Sequence, residues 1–371
     1  MRIFYAVGSR PHGDLVESSI WFRNLYLPMV DLGHEVVAFD FDLEPFYSHA
    51  DPDHPGTRAF VEAQRPILEA ELLNQVARAH AERPIDVFFS YFYSSFVRPE
   101  VIRQIAGMGI VTVNWYCNAS YQFHLVSEIA PAYSYCLVPE KFRLDDYRAV
   151  DAHPVYCQEA ANPDFYRPQD VPREYDIAFV GSAYGDRPAY VRALLDAGLD
   201  AHVWGPGWSE LARPSSRTAR LRIAGSRMKL NALRRPPPAP MLPSANCGSP
   251  LTDDEMVTMF SRSKICLGFS SVGDTGNTKQ PIRQVRLRDF EAPMSGAFYI
   301  LEYLDEIEEF FVPGKEIVCF DGSADLVDKC RYYLDHEEER EKIRRAGHER
   351  ALRDHTWQRR LTTAFIETGV E

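Results

Sequence analysis

The chain has 371 residues, 45% hydrophobic and 25% charged, a globular balance long enough for two domains of ordinary size. Its formal charge of −12 argues against a general binder of nucleic acid or of anionic membranes. Seven scattered cysteines without a C-x-x-C pair suggest neither a disulfide framework nor a thiolate zinc site, and they fit a cytoplasmic protein.

In chain order, apolar Ile3 to Val7 reads as a strand, followed by a Gly/Ser/Pro turn, an amphipathic helix over Glu17 to Leu32 and a strand over Glu35 to Phe39. Strands at Asp86 to Ser90, Ile110 to Trp115 and Tyr135 to Val138 alternate with helices near Gly56 to Glu82, Pro99 to Met108 and Ser120 to Ile129. This alternation predicts right-handed βαβ units on a parallel sheet. The segment Glu159 to Arg173 carries three prolines and little periodicity, which predicts an interdomain linker over 161–173.

The pattern then restarts. A strand over Asp176 to Val180, a turn, a helix over Arg187 to Ala197 and a strand over Ala201 to Trp204 lead into Pro206 to Pro250, where eight basic residues face one acidic residue, Glu210. Its composition, with Pro236-Pro237-Pro238, predicts a long surface loop or solvated flap. A helix (Asp253 to Ser263), a strand (Lys264 to Phe269), a glycine-rich loop (Ser270 to Lys279), a helix from Gln284 and strands at Ala297 to Leu301 and Glu316 to Phe320 follow. Three helices over Ser323 to Asp335, Glu337 to Arg353 and Thr356 to Ile366 close the chain. The expectation is an α/β chain of two Rossmann-like domains, 1–160 and 174–355, facing across a cleft, with the helix of 356–371 returning to the first. No apolar leader opens the chain, and no apolar run reaches the roughly 18–20 residues of a membrane span.

Two places carry chemistry. In Gln284 to Gly296, QVRLRDFEAPMSG, a helix over Gln284 to Glu291 would align Gln284, Arg288 and Glu291 on one face, with Arg283 just before them. Arginine forks suit a diphosphate and a carboxylate suits two vicinal ribose hydroxyls, so this face can hold a sugar nucleotide. The plain alternative is a solvated helix with an Arg288–Glu291 pair. The second place is Gly181-Ser182-Ala183-Tyr184-Gly185-Asp186-Arg187, a strand end with two glycines and a helix start, suited to phosphate. It matches neither G-x-G-x-x-G nor G-x-x-x-x-G-K-[ST], and its alternative is an ordinary βα turn.

These pieces resemble a glycosyltransferase of the GT-B fold, closest to the CgeB-like spore-maturation group. The resemblance rests on DIAFVGSAYGDRPAYVRALLDAG, HVWGPGW, SRSKICLGFS, RQVRLRDFEAPMSGAFYILEY and EEFFVPGKEIVCF, and more loosely on NWYCNASYQF. It implies a C-terminal half that binds a UDP-, GDP- or dTDP-linked sugar, an N-terminal half that binds a small-molecule, glycan or protein acceptor, and no cofactor or bound metal. In the Glu-x7-Glu enzymes the second glutamate binds ribose, and Glu291 stands at that position; the first position is Arg283. The donor residues are then Gly181, Ser182, Arg187, Arg283, Gln284, Arg288 and Glu291. The loop Ser9 to Asp14 faces the cleft in this fold and offers His12 as a base and Asp14, whose alternative is a helix cap. Asn118 and His124 are candidate acceptor contacts. Asp51-Pro52-Asp53 matches D-x-D but reads as a turn. Of the aromatic run Phe88 to Phe96, Phe88 and Phe89 read as core, with Tyr91 and Tyr93 open to stacking. The competing readings are a nucleotide-sugar epimerase or hydrolase, and a non-catalytic nucleotide-sugar binder.

Overall fold

The computed structural model describes residues 1–8, 20–49, 56–213, 241–272 and 281–370. His12, Asp14, Asp51-Pro52-Asp53 and most of the basic run therefore lie outside the described residues. The chain divides into two compact units. One takes in the chain up to Asn162 together with the last helix, from His355 onward; the other runs over Pro163–Asp354.

The first unit holds a sheet of β1 (Arg2–Ala6), β2 (Glu35–Ala38), β3 (Val87–Ser90), β4 (Val111–Trp115), β5 (Tyr135–Val138) and β6 (Pro154–Tyr156), in the order β2-β1-β3-β4-β5-β6. Every pairing is parallel. β1 and β3 are apolar on both faces because helices cover both, and Ile3, Val87, Phe88 and Phe89 are fully buried. Phe88 and Phe89 are thus core. Phe4 stacks on Phe88 and Tyr5 on Phe89 across the Phe4↔Phe88 and Tyr5↔Phe89 register.

The helix expected over Ser120 to Ile129 is broken into Ala119–Gln122, a 3-10 turn at Phe123–Leu125 and a second at Ala130–Ala132. Arg143 Nη2 donates to the Ser120 carbonyl at 2.5 Å, and the buried Glu140 carboxylate accepts from Ser120 N–H at 3.3 Å, so tertiary partners take backbone groups a continuous helix would use. The last helix, Trp357–Glu367, packs on this sheet through Trp357, edge-on to Trp115 at 5.3 Å. Both indoles are fully buried.

The second unit holds β7 (Tyr175–Val180), β8 (Ala201–Trp204), β11 (Cys247–Gly248), β12 (Ser263–Gly268), β13 (Tyr299–Glu302) and β14 (Val318–Phe320), in the order β11-β8-β7-β12-β13-β14. A two-stranded pair, β9 (Ala212–Arg213) and β10 (Leu242–Pro243), stands apart. All six strands run parallel, and Ile177, Val203, Ile265, Ile300 and Val318 form the core with Leu194 and Leu326.

Pro206 to Pro250 is not loop throughout. Helix Trp208–Leu211 and strands β9, β10 and β11 lie within it, and Cys247↔Val203 pairing makes β11 the outermost strand. Trp208 is fully buried and its Nε1 donates to the Gly181 carbonyl at 2.6 Å. A side chain at Gly205 would collide with that same carbonyl, which is why HVWGPGW needs glycine there.

Both sheets change winding direction once. In the first, chain order reverses about β1, so β1 and β3 flank the switch; in the second, β7 and β12 do. Open parallel sheets bind ligands beyond the carboxyl ends of the strands at such points.

Candidate donor site

At the switch of the second sheet, β7 ends at Val180 and the Gly181 to Asp186 turn leads into helix Arg187–Asp196, while β12 ends at Gly268 and passes into Phe269-Ser270-Ser271. A shallow cleft here is lined by Tyr184, Asp186, Arg187, Ser271 and Glu302 among others. Burial and the neighbouring Glu302 raise the Asp186 carboxyl above its ordinary value.

The turn is held from below. Gly181 N–H donates to the Trp204 carbonyl at 2.8 Å and Ala183 N–H to the Pro206 carbonyl at 2.9 Å. Gly181 therefore spends its N–H on the fold, and a side chain there would collide with the Phe179 ring.

Arg187 is 7% exposed. Nη1 donates to the Ser182 carbonyl at 2.9 Å, Nη2 donates to Tyr184 Oη at 2.7 Å, and the guanidinium lies 3.8 Å from the centre of the Tyr184 ring. Burial lowers its pKa to about 10, so it stays charged at neutral pH. Its Nε is buried without a hydrogen-bond partner.

The helix expected from Gln284 starts at Leu287 and runs to Met294. The chain before it folds back on the β12 exit: Val272 N–H donates to Ile282 O at 2.9 Å, Gln284 N–H to Ser270 O at 3.2 Å, and Ser271 bridges Arg283. Asp289 then caps the helix by accepting from Arg286 N–H at 2.8 Å. Gln284 consequently does not share a helical face with Arg288 and Glu291; it is buried, with Oε1 unpartnered.

Arg288 and Glu291 do meet, Nη1 to Oε2 at 2.7 Å, but Glu291 is 1% exposed, so this is no solvated surface pair. Arg288 also touches Met256 and lies over the Phe260 ring. Arg283 turns to Glu302 instead, with Nη2 3.2 Å from Oε1.

Two residues that sequence reasoning passed over belong here. Glu302, 3% exposed at the end of β13, accepts from Ser270 N–H at 3.1 Å, Ser270 Oγ at 3.0 Å, Ser271 N–H at 3.3 Å and Ser271 Oγ at 3.3 Å. A carboxylate ending the apolar run FYILEY was the signal: a charge at the carboxyl end of a buried strand is costly unless the site uses it. Arg286 donates through Nη2 to Ser271 O at 2.7 Å, lies 5.9 Å from the Tyr184 ring centre, and also carries a buried, unpartnered Nε. Arg187 and Arg286 thus bring two cations to Tyr184 at the switch point.

In the first unit, Asn118 Nδ2 donates to Tyr91 Oη at 3.2 Å, while His124 lines a different cavity beside Thr57, Arg65 and Ser95. Asn118 is not among the residues that line that cavity. Tyr91 is 4% exposed and packs on Tyr47, Tyr93 and Tyr116, so its ring is core. Among the described residues no group of three or more His, Cys, Asp or Glu is placed to hold a metal, and no helix is long and apolar enough to cross a membrane.

A family model described as glycosyl transferase-like matches residues 187–365, just under half of the chain. No curated protein matches. Among solved structures, a sucrose-phosphate synthase from Thermosynechococcus elongatus aligns at TM-score 0.60 and 14% identity over 100% of this chain and 98% of its own. An alpha-glucosyltransferase in complex with UDP-glucose and DNA containing an abasic site aligns at TM-score 0.62 and 10% identity over 100% and 99%. Anabaena HepE in complex with UDP and glucose aligns at TM-score 0.57 and 10% identity over 100% and 99%. The chain therefore has the GT-B fold, two six-stranded parallel sheets with their helices, as these enzymes have.

Proposed function

We propose that this chain is a glycosyltransferase that moves a sugar from a nucleoside diphosphate sugar to a hydroxyl or amine acceptor. The observation that carries this is the pair of guanidiniums around Tyr184, Arg187 and Arg286, each with a buried Nε–H that no protein group accepts. A buried donor left unpaired costs about 1–3 kcal/mol, and a diphosphate at the switch point would satisfy both. The glycosyl transferase-like match over 187–365, and the solved neighbours whose complexes contain UDP or UDP-glucose, support the same reading.

The chemistry follows from charge. As the bond from the sugar to the diphosphate breaks, negative charge grows on the leaving group, and preorganised cations lower the barrier by meeting it. Arg187 and Arg286 take that role without a bound metal, Glu302 fixes the serine loop beside them, and Glu291 is the ribose ligand. In a reaction that inverts the anomeric centre the acceptor must lose a proton, for which His12 is the candidate base and Asp14 its neighbour. We place the enzyme among hexosyl transferases of the CgeB-like group, acting in the cytoplasm, where its seven free cysteines remain thiols.

The test is a thermal-shift screen with UDP, GDP, dTDP and ADP, followed by incubation with the matching sugar nucleotides with and without acceptors. A shift with one nucleotide and sugar transfer to an added acceptor is the expected result. Release of free sugar without an acceptor would mark a hydrolase, and saturable binding without turnover a non-catalytic binder. No shift with any nucleotide contradicts the proposal.

A further inference from the structure

A second cavity, of about 310 Å³, lies wholly within the first unit, where helix Thr57–Glu82 begins. It is lined by Thr57, Arg58, Arg65, Ser94, Ser95 and His124, with Glu62 and Glu128 as exposed acids on the same wall. Four polar atoms on these residues are buried and have no hydrogen-bond partner: Thr57 Oγ1, Arg65 Nε, Ser94 Oγ and Ser95 Oγ. Thr57 is 2% exposed, so its hydroxyl cannot turn to bulk water. The loop that bears the two serines is fixed, because Ser94 N–H donates to Leu125 O at 2.7 Å.

Each orphan can donate. Three are hydroxyls and the fourth is an N–H that cannot accept. Thr57 opens a helix of 26 residues whose N-cap, Gly56, offers no capping side chain and whose first turn carries partial positive charge, while Arg65 lies two turns further along it. Arg58 and Arg65 add two guanidiniums. The two guanidiniums are matched by the Glu62 and Glu128 carboxylates, so the surplus of this cavity lies in unpartnered donors, which call for a ligand rich in acceptors, and a cavity of this volume is that of a small-molecule site.

We infer that this cavity binds the oxyanion of a phosphate- or carboxylate-bearing small molecule. The oxyanion lies against Thr57, Ser94, Ser95 and Arg65, while Glu62 and Glu128 meet hydroxyls on the body of the ligand. That this ligand is the acceptor rests on the proposed glycosyl transfer; the binding itself does not.

The experiment uses the full chain and three probes, inorganic phosphate, acetate and glucose, in thermal-shift and calorimetric titrations with and without saturating UDP. Phosphate or acetate should raise the melting temperature saturably, with UDP present as well as absent, and glucose should not. The double variant T57V/R65Q should lose at least tenfold in affinity for the oxyanion while keeping the UDP response, and Ser95→Ala, which removes one oxygen, should weaken binding in the same direction. The inference is overturned if no oxyanion binds, if both variants bind it as the parent does, or if UDP alone abolishes binding, which would place the oxyanion at the donor site. Failure of the donor reading shows separately, as the absence of any UDP response.

Discussion

Arg283 Nη2 lies 3.2 Å from Glu302 Oε1, so the arginine at the first position of the Glu-x7-Glu pattern holds a glutamate supplied by the end of β13. The same carboxylate gathers Ser270 and Ser271, so one buried anion organises the exit of β12, where the diphosphate is proposed to sit.

Replacing Glu302 by alanine should therefore cost about 2–4 kcal/mol of stability, since four buried donors lose a charged acceptor together. Glu302→Gln should cost less, because its amide oxygen still accepts. Urea unfolding with a tryptophan fluorescence readout measures both; a change under about 0.5 kcal/mol for the alanine variant would show that the loop holds itself.

Glu291→Ala should weaken nucleotide affinity by roughly 1.5–3 kcal/mol, the size of hydrogen bonds to a charged group. It also strips Arg288 of its partner, so some stability is lost with it. Calorimetry on Glu291→Gln, which keeps the shape, separates the two effects: unchanged affinity there would remove Glu291 from the ribose site.

Burial raises the Glu140 carboxyl to about 7 and that of Asp289 to about 6. Both values lie above those of the unfolded chain. The stability each contributes is thus fully present below about pH 4 and is lost progressively as pH rises from there through the folded values, about 6 for Asp289 and about 7 for Glu140. Glu140→Gln removes one of these penalties and can still accept from Ser120 N–H. Its advantage over the parent should grow from pH 5 to pH 8, approaching about 3 kcal/mol for a shift of this size. Urea midpoints at the two pH values check this; an advantage that shrinks with pH would contradict the assignment.

Trp357→Ala should cost about 3–5 kcal/mol, because a fully buried indole packed on Trp115 leaves a cavity that rigid strands do not fill. The same variant should free the last helix to exchange its amide hydrogens, and protection equal to the parent's would count against the packing described.

Much of the architecture was legible because buried parallel strands announce themselves. VFFS, YCLV and SKICLG are buried along almost their whole length and appear as strands within a residue or two of expectation. What was not legible depends on partners distant in sequence. β6 has three half-buried residues and β11 two, and only pairing to a neighbour makes them strands. The helix expected from Gln284 starts three residues later than its periodicity suggested because Ile282 and Gln284 pair with the β12 exit, a contact no local pattern encodes. That Arg288 and Glu291 meet was legible from their spacing. Arg286 sat two residues away in the same motif, and only the fold shows that it, with Arg187, faces Tyr184.

The central claim is that Arg187 and Arg286 at the second switch point receive a nucleoside diphosphate. Calorimetric titration of the parent and of Arg286→Ala with UDP, GDP, dTDP and ADP tests it most directly. One nucleotide should bind saturably to the parent and about 10- to 150-fold more weakly to the variant, corresponding to roughly 1.5–3 kcal/mol. Equal affinity in the two proteins, or no binding by either, would contradict it.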